Sequence, residues 1–265
     1  MIYWLLSVAT IFTAVILIQR YRSLNRNRLT VLMYHKISAN GEKDFLTVPS
    51  LMLERQFHYI NKAGYTPVFL SQLSDYIIYK KQLPLKPILI TFDDGYQDNF
   101  TLLYPLLLQY GMRANIFLVP SFITCPENKA IQPAHQYLSL NEIKSMDPGF
   151  VEFGLHSYDH KNYAEITLSE LNLDIIKSKT LMKRLDIPFQ RSLAYPFGAY
   201  PKRKGEQVDF FNMLSLNDIV TGFRIGNRLN GLPLKNHLLI QRLDIRGEMT
   251  FKKFTRLLKK GKSIF

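Results

Sequence analysis

At 265 residues and 47% hydrophobic composition, the chain has room for one large α/β domain with a substantial core. Its single cysteine, Cys125, excludes an intramolecular disulfide. The formal charge of +13 is concentrated in Arg20, Arg22, Arg26 and Arg28, and in Lys252, Lys253, Arg256, Lys259, Lys260 and Lys262. These clusters flank a membrane candidate and belong to no nucleic-acid-binding module, so the expected partner is membrane lipid with anionic headgroups, not nucleic acid.

From Ile2 to Ile18 the chain carries no charge. About seventeen apolar residues lie near the lower limit for a helix that crosses the hydrocarbon core. A cleaved signal peptide needs a positive leading region and a small-residue cleavage site. Here only Met1 precedes the run, and Gln19-Arg20-Tyr21-Arg22 follows it. The expectation is a retained anchor, one N-terminal transmembrane helix over residues 1–19. A basic juxtamembrane linker over 20–29 and a single domain over 30–265 follow.

Within that domain Thr30 to Tyr34 reads as a strand ending at His35. Pro49 to Ala63 reads as a helix, with Leu53, Phe57 and Ile60 at helical spacing and Gly64 stopping it. A short strand over residues 66–70 and a helix over 73–79 precede the apolar strand Ile88 to Phe92. Leu102 to Tyr110 is a helix stopped by Gly111, and Ala114 to Val119 a strand. Ser139 with Glu142 forms a capping-box pattern for a helix to Met146. Val151 to Leu155 is a strand, Ser169 to Leu185 a long amphipathic helix, and Ser192 to Tyr195 a strand. Later strands fall at 220–223 and 238–242, and a basic helix at 250–260 closes the chain.

Strands alternating with helices imply parallel pairing by right-handed crossovers, in a closed barrel or an open doubly wound sheet. His35, Asp93, Asp94 and His156 all lie at the carboxyl ends of expected strands, which favours the barrel, where those ends share one mouth. Asp93 and Asp94 are adjacent before Gly95; His156 and His160 are four positions apart. Two imidazoles and a carboxylate with open positions make a catalytic divalent-metal ligand set. A spare carboxylate is then free to serve as a base in hydrolysis.

Thr91-Phe92-Asp93-Asp94-Gly95, His156-Ser157-x-x-His160 and Ala194-Tyr195-Pro196-Phe197-Gly198 resemble the motifs of NodB-type polysaccharide deacetylases (carbohydrate esterase family 4). The resemblance runs from about Val31 past the long helix to the turn at Gly198, and it is closest to the biofilm-polysaccharide, poly-N-acetylglucosamine deacetylase-like subgroup. It implies a distorted (β/α) barrel that removes acetyl groups from an N-acetylated sugar polymer or lipid-linked glycan with a divalent metal, most often Zn²⁺, with Co²⁺, Ni²⁺ or Fe²⁺ as alternatives. By position, it makes Asp94, His156 and His160 the metal ligands, Asp93 the general base and the backbone N–H of Phe197 an oxyanion donor. The general acid falls to His35, as in relatives whose late motifs are moved to the front, with His237 as fallback. Tyr195, Pro196 and Arg242 are the expected substrate contacts.

One departure bears on this reading. Ala194 stands where many members carry an arginine that orients the catalytic aspartate, so the group that holds Asp93 is open. The alternatives in function are a non-catalytic glycan-binding scaffold and a deformylase or deacetylase of a lipid-linked aminosugar on the inner leaflet. The side of the membrane is open too: the arginines after the apolar run favour a cytosolic domain, whereas glycan chemistry favours the outside. Oligomeric state is not legible.

Overall fold

A computed structural model describes Thr13 and residues 28–123 and 137–261. Apart from Thr13, the expected transmembrane anchor lies outside the described residues, as do most of the juxtamembrane linker and Cys125. Among the described residues no helix is long and apolar enough to cross a membrane.

The described chain builds a ring of seven parallel strands: β1 (Arg28–Tyr34), β5 (Pro87–Asp94), β6 (Ala114–Leu118), β7 (Val151–Leu155), β8 (Ser192–Ala194), β9 (Thr221–Ile225) and β11 (Ile240–Asp244). The ring closes because β1 pairs with β5 on one side and with β11 on the other. Leu32 stands opposite both Ile90 and Leu243. Closure is uneven: β7 and β8 share one paired position, Leu155 with Leu193. Two short strands decorate it, β4 (Thr66–Pro67) on β5 and the antiparallel β10 (Asn230–Gly231) on β1. A separate pair, β2 (Lys36–Ser38) and β3 (Thr47–Pro49), follows β1.

Helices wrap the outside: α1 (Ser50–Lys62), α2 (Leu70–Tyr79), α3 (Tyr104–Tyr110), α4 (Leu140–Ser145), α5 (Leu168–Arg184), α6 (Lys204–Leu216) and α7 (Phe251–Lys260). In β5 every residue is buried, as a barrel strand covered on both faces requires. Ile88, Ile90 and Phe92 pack outward in a cluster that includes Leu53, Phe57 and Leu107 of the helices. Leu89 points inward with Val31, Phe117, Ala194, Phe223 and Ile240. The strand period of two then puts Thr91 and Asp93 on the inward side as well.

Three boundaries differ from the sequence reading. The strand after α1 stops at Pro67, and α2 starts at Leu70, because the Gln72 side chain accepts the Phe69 backbone N–H at the helix start. A π-helical turn over Asn99–Leu103 precedes α3. The last ring strand begins at Ile240 and runs to Asp244, later than expected. Arg242 is therefore an internal strand residue, in phase with inward Ile240.

Aromatic side chains fill the barrel, so small residues must face them. A Cβ on Gly154 would lie 2.6 Å from the Phe117 ring. Gly154→Ala is expected to cost about 1–3 kcal/mol of stability by overpacking. A second change, Phe117→Leu, should recover part of that loss in urea unfolding, whereas additive losses would show that the two sites do not compete for space.

Candidate metal and catalytic centre

Asp93 and Asp94 are neighbours in sequence, yet they face different partners. Asp93 follows the inward phase of β5. Asp94 and Gly95 both adopt left-handed backbone, at φ 73° each, which takes the chain out of the strand at the mouth. Ser157 and His160 are also left-handed, at φ 67° and 63°, as is Phe197 at 59°. Such non-glycine conformations cost about 1–3 kcal/mol each and persist only where the surroundings hold them.

Asp94 Oδ1 lies 3.4 Å from His156 Nε2 and 3.3 Å from His160 Nε2. It is buried, and among the described residues no donor meets it in hydrogen-bond geometry. One donor atom from each of these three residues falls within 4.8 Å of the others. Ligand atoms about 2.1 Å from a tetrahedral ion stand roughly 3.4 Å apart, so the donor set fits a divalent cation in chemistry and spacing. The His156 ring donates through Nδ1 to the Ala194 carbonyl at 2.9 Å. That bond leaves Nε2 as the lone-pair nitrogen, the orienting arrangement common to metal-bound histidines.

Burial holds the His156 imidazole below its usual pKa despite the two aspartates beside it. Burial also opposes ionisation of Asp94, but His160, His156 and His35 outweigh it and hold the carboxyl well below the ordinary range. A His156 ring that burial disfavours from charging, beside an ionised Asp94 carboxylate, suits a cation.

The group that holds Asp93 is Arg242. Its Nη1 donates to Asp93 Oδ1 at 2.6 Å and its Nη2 to Oδ2 at 2.7 Å, a bidentate pair 1–2% exposed. The guanidinium also lies over the Phe117 ring at 5.7 Å. Arg242 thus supplies, from β11, the cation beside Asp93 that the Ala194 position does not. Burial raises the Asp93 carboxyl, but Arg242, then His156, bring it below its ordinary value. His35 Nε2 stands 4.0 Å from Asp93 Oδ2, and His156 Nε2 3.8 Å from the same atom.

The residues expected to contact substrate are mostly buried. Arg242 is buried and committed to Asp93, because the strand extends past it. Tyr195 is fully buried, its hydroxyl donating to the Leu238 carbonyl at 2.7 Å and its ring among Tyr163, Tyr200 and Phe210. Pro196 is buried too. Phe197 is the exposed member of that motif, at 65%, and its ring meets His160 edge-on at 4.7 Å. His237 is exposed and bonded to the Val220 carbonyl, at the amino end of β9 and β11, the end opposite the mouth. Asp159 is exposed and pairs with Lys161 at 3.8 Å, so it orients neither histidine.

Asp174 of α5, absent from the sequence reading, anchors the histidine turn. Its carboxylate accepts from Ser157 Oγ at 2.8 Å, the Tyr158 N–H at 3.1 Å and the Tyr163 hydroxyl at 2.8 Å. The signal was available: Asp174 shares the buried face of α5 with Leu171, Ile175, Ser178 and Met182. A carboxylate in an apolar stripe is the informative exception. Tyr96 and Tyr137 stack at 5.1 Å beside Asp94; burial and then the Asp94 charge keep the Tyr96 hydroxyl well above its ordinary pKa.

Residues 80–213 match the family described as polysaccharide deacetylase. The chain belongs to the polysaccharide deacetylase family. It is 30% identical over 173 residues to YxkH of Bacillus subtilis, which carries a polysaccharide deacetylase name, covering 65% of this chain and 58% of that one. It is 29% identical over 107 residues to the poly-beta-1,6-N-acetyl-D-glucosamine N-deacetylase of Escherichia coli, covering 40% of this chain and 16% of that one. The matched stretches thus span less than two thirds of either relative. The fold superimposes on the Streptococcus pyogenes deacetylase PplD in complex with acetate, with a TM-score of 0.73 at 19% identity, covering 89% of this chain and 99% of that one.

Two outcomes follow from this geometry. Arg242→Met leaves a buried carboxylate without its cation and should lower unfolding free energy by about 3–5 kcal/mol; an unchanged denaturant midpoint would show that the pair is not held in solution. Asp174→Asn should weaken Zn²⁺ affinity on the order of 10–100-fold in competition titration. Equal affinity would mean the histidine turn holds itself.

Proposed function

We propose that the protein is a metal-dependent hydrolase that removes N-acetyl groups from an N-acetylated glycan. The observation that carries this reading is one buried cluster. In it the unbonded Asp94 Oδ1 faces two imidazole nitrogens at 3.3–3.4 Å, while a second carboxylate, Asp93, stands beside His156. Family membership and the name of the Escherichia coli relative support an amide of an acetylated aminosugar as the substrate class. The donor set of two nitrogens and one oxygen suits Zn²⁺, with Co²⁺, Ni²⁺ or Fe²⁺ as alternatives.

A divalent cation held by Asp94, His156 and His160 would supply a Lewis acid that polarises the acetyl carbonyl and acidifies water. The chain's own residues do the rest. Asp93, fixed and ionised by Arg242, accepts a proton from the attacking water. The backbone N–H of Phe197, at its left-handed turn, is the donor for the developing oxyanion. As the carbon–nitrogen bond breaks, His35 gives a proton to the leaving amine, and the products are acetate and a free amino sugar. Residues 1–19, an uncharged apolar run in the sequence, are read as a membrane anchor.

A panel of N-acetylated glycans, scored for free amine before and after chelation, tests the reaction. Activity should vanish with the chelator and return with added Zn²⁺ or Co²⁺; full activity in excess chelator would refute the reading. His35→Gln separates the roles further. Amide cleavage should fall about 10²–10⁴-fold, while cleavage of an acetyl ester with a good leaving group, which needs no acid, should change little. Equal losses on both substrates would remove His35 from the acid's role.

A further inference from the structure

At the end of the barrel opposite the mouth lies a cavity of about 190 Å³ lined by Arg28, Thr30, Tyr65, Lys86, Leu229, Leu258 and Lys259. Three of these seven residues are cations, and none is a carboxylate. Arg28 opens β1, Lys86 immediately precedes β5, and Lys259 sits in the last turn of α7. Parallel β/α units place all such positions at one end. Lys86 is anchored by donating to the Ala63 carbonyl at 2.8 Å, so its charge is held at the cavity wall. The Tyr65 hydroxyl donates across the cavity's edge to the Leu258 carbonyl at 3.3 Å.

The surface around the cavity continues the pattern. Lys62 ends α1, Lys80 and Lys81 follow α2, and Lys260 ends α7, all of them exposed. Acids at this end are paired to lysines: Asp75 to Lys81 at 2.7 Å, Asp186 to Lys144 at 3.4 Å and Asp218 to Lys179 at 3.7 Å. Helix α7 buries Phe254, Leu257 and Leu258 and turns Lys252, Lys253, Arg256, Lys259 and Lys260 outward.

The entry point of the chain selects the partner. Arg28 is ten residues beyond Ile18, the end of the uncharged run, and Arg20, Arg22 and Arg26 lie between. Ten residues reach at most about 36 Å however they are arranged, so the apolar run is tethered close to this basic end. We propose that this end of the barrel docks on an anionic lipid surface, with a headgroup phosphate taken up between Arg28, Lys86 and Lys259. A consequence follows for the substrate. The catalytic carboxylates are at the far end of β5, seven strand residues from Pro87, or roughly 20 Å above the lipid along a tilted strand. That height suits a polymer extending from the surface and not a sugar held at headgroup level; this corollary alone rests on the deacetylase reading.

The test is vesicle partition, which needs no catalysis. The full chain is mixed with phosphatidylcholine vesicles and with vesicles containing phosphatidylglycerol, and binding is read by flotation at low and high salt. The wild type should prefer the anionic vesicles and lose that preference in high salt. Arg28→Gln with Lys259→Gln should cut the preference on the order of tenfold or more, at about fivefold per charge, leaving binding to neutral vesicles unchanged. Arg28→Lys should keep it, as should Lys202→Gln at the amino end of α6, near the mouth. Lys259→Gln alone, at an exposed position, gives a folded variant with an intermediate loss. An unaltered anionic preference in the double variant would overturn the proposal. So would charge-dependent capture of a short DNA duplex with no preference among vesicles.

Discussion

Two adjacent carboxylates can both stay ionised inside a protein only if each receives its own positive or donor partners, and this barrel separates them by one turn of backbone. Asp93 keeps the inward phase of β5 and takes both Nη groups of Arg242. Asp94, in the left-handed turn, faces the imidazoles of His156 and His160. Without the Arg242 pair, burial would favour the neutral acid at Asp93. Without the turn, Asp94 would follow the strand's alternation towards the helix layer.

Closure of the ring makes that separation available. Asp93 and Arg242 are 149 residues apart in sequence, yet only β1 stands between their strands, because β1 pairs with both β5 and β11. The same pairing sets His35, just past β1, beside Asp93. The interior must then stay narrow enough for a guanidinium to reach across. Phe117 and Phe223 fill the space at 5.2 Å from each other, and Gly154 and Ala194 make room for them. Arg242 reaches Asp93 from β11, while Ala194, paired with Phe223, leaves room for the aromatic packing.

Much of the fold was legible because its strands are short apolar runs separated by well-marked helices, and because β5 and β7 end in chemistry-bearing residues. The convergence of Asp94, His156 and His160 was legible for the same reason: strand ends of a parallel barrel share one mouth. The destination of Arg242 was not. Its strand begins two residues later than the apolar run Leu238-Leu239-Ile240 suggests, since Leu238 and Leu239 belong to the turn before it. That shift turns an expected surface contact into a buried pair. The burial of Tyr195 was hidden for a different reason. A tyrosine between a strand and a motif proline reads equally well as cleft or core, and only the distant Leu238 carbonyl decides it. Asp174 required knowing which face of α5 is buried, and there a polar residue matters because it is hydrogen-bonded to a turn sixteen or so positions earlier.

The central claim is that one aspartate binds the cation while its neighbour remains free of it. Anomalous diffraction from crystals of the metal-loaded protein measures this directly. The account predicts a single peak roughly 2.0–2.2 Å from an Asp94 oxygen, His156 Nε2 and His160 Nε2, with both Asp93 oxygens still on Arg242. A peak coordinated by Asp93, or one away from the two imidazoles, would contradict it.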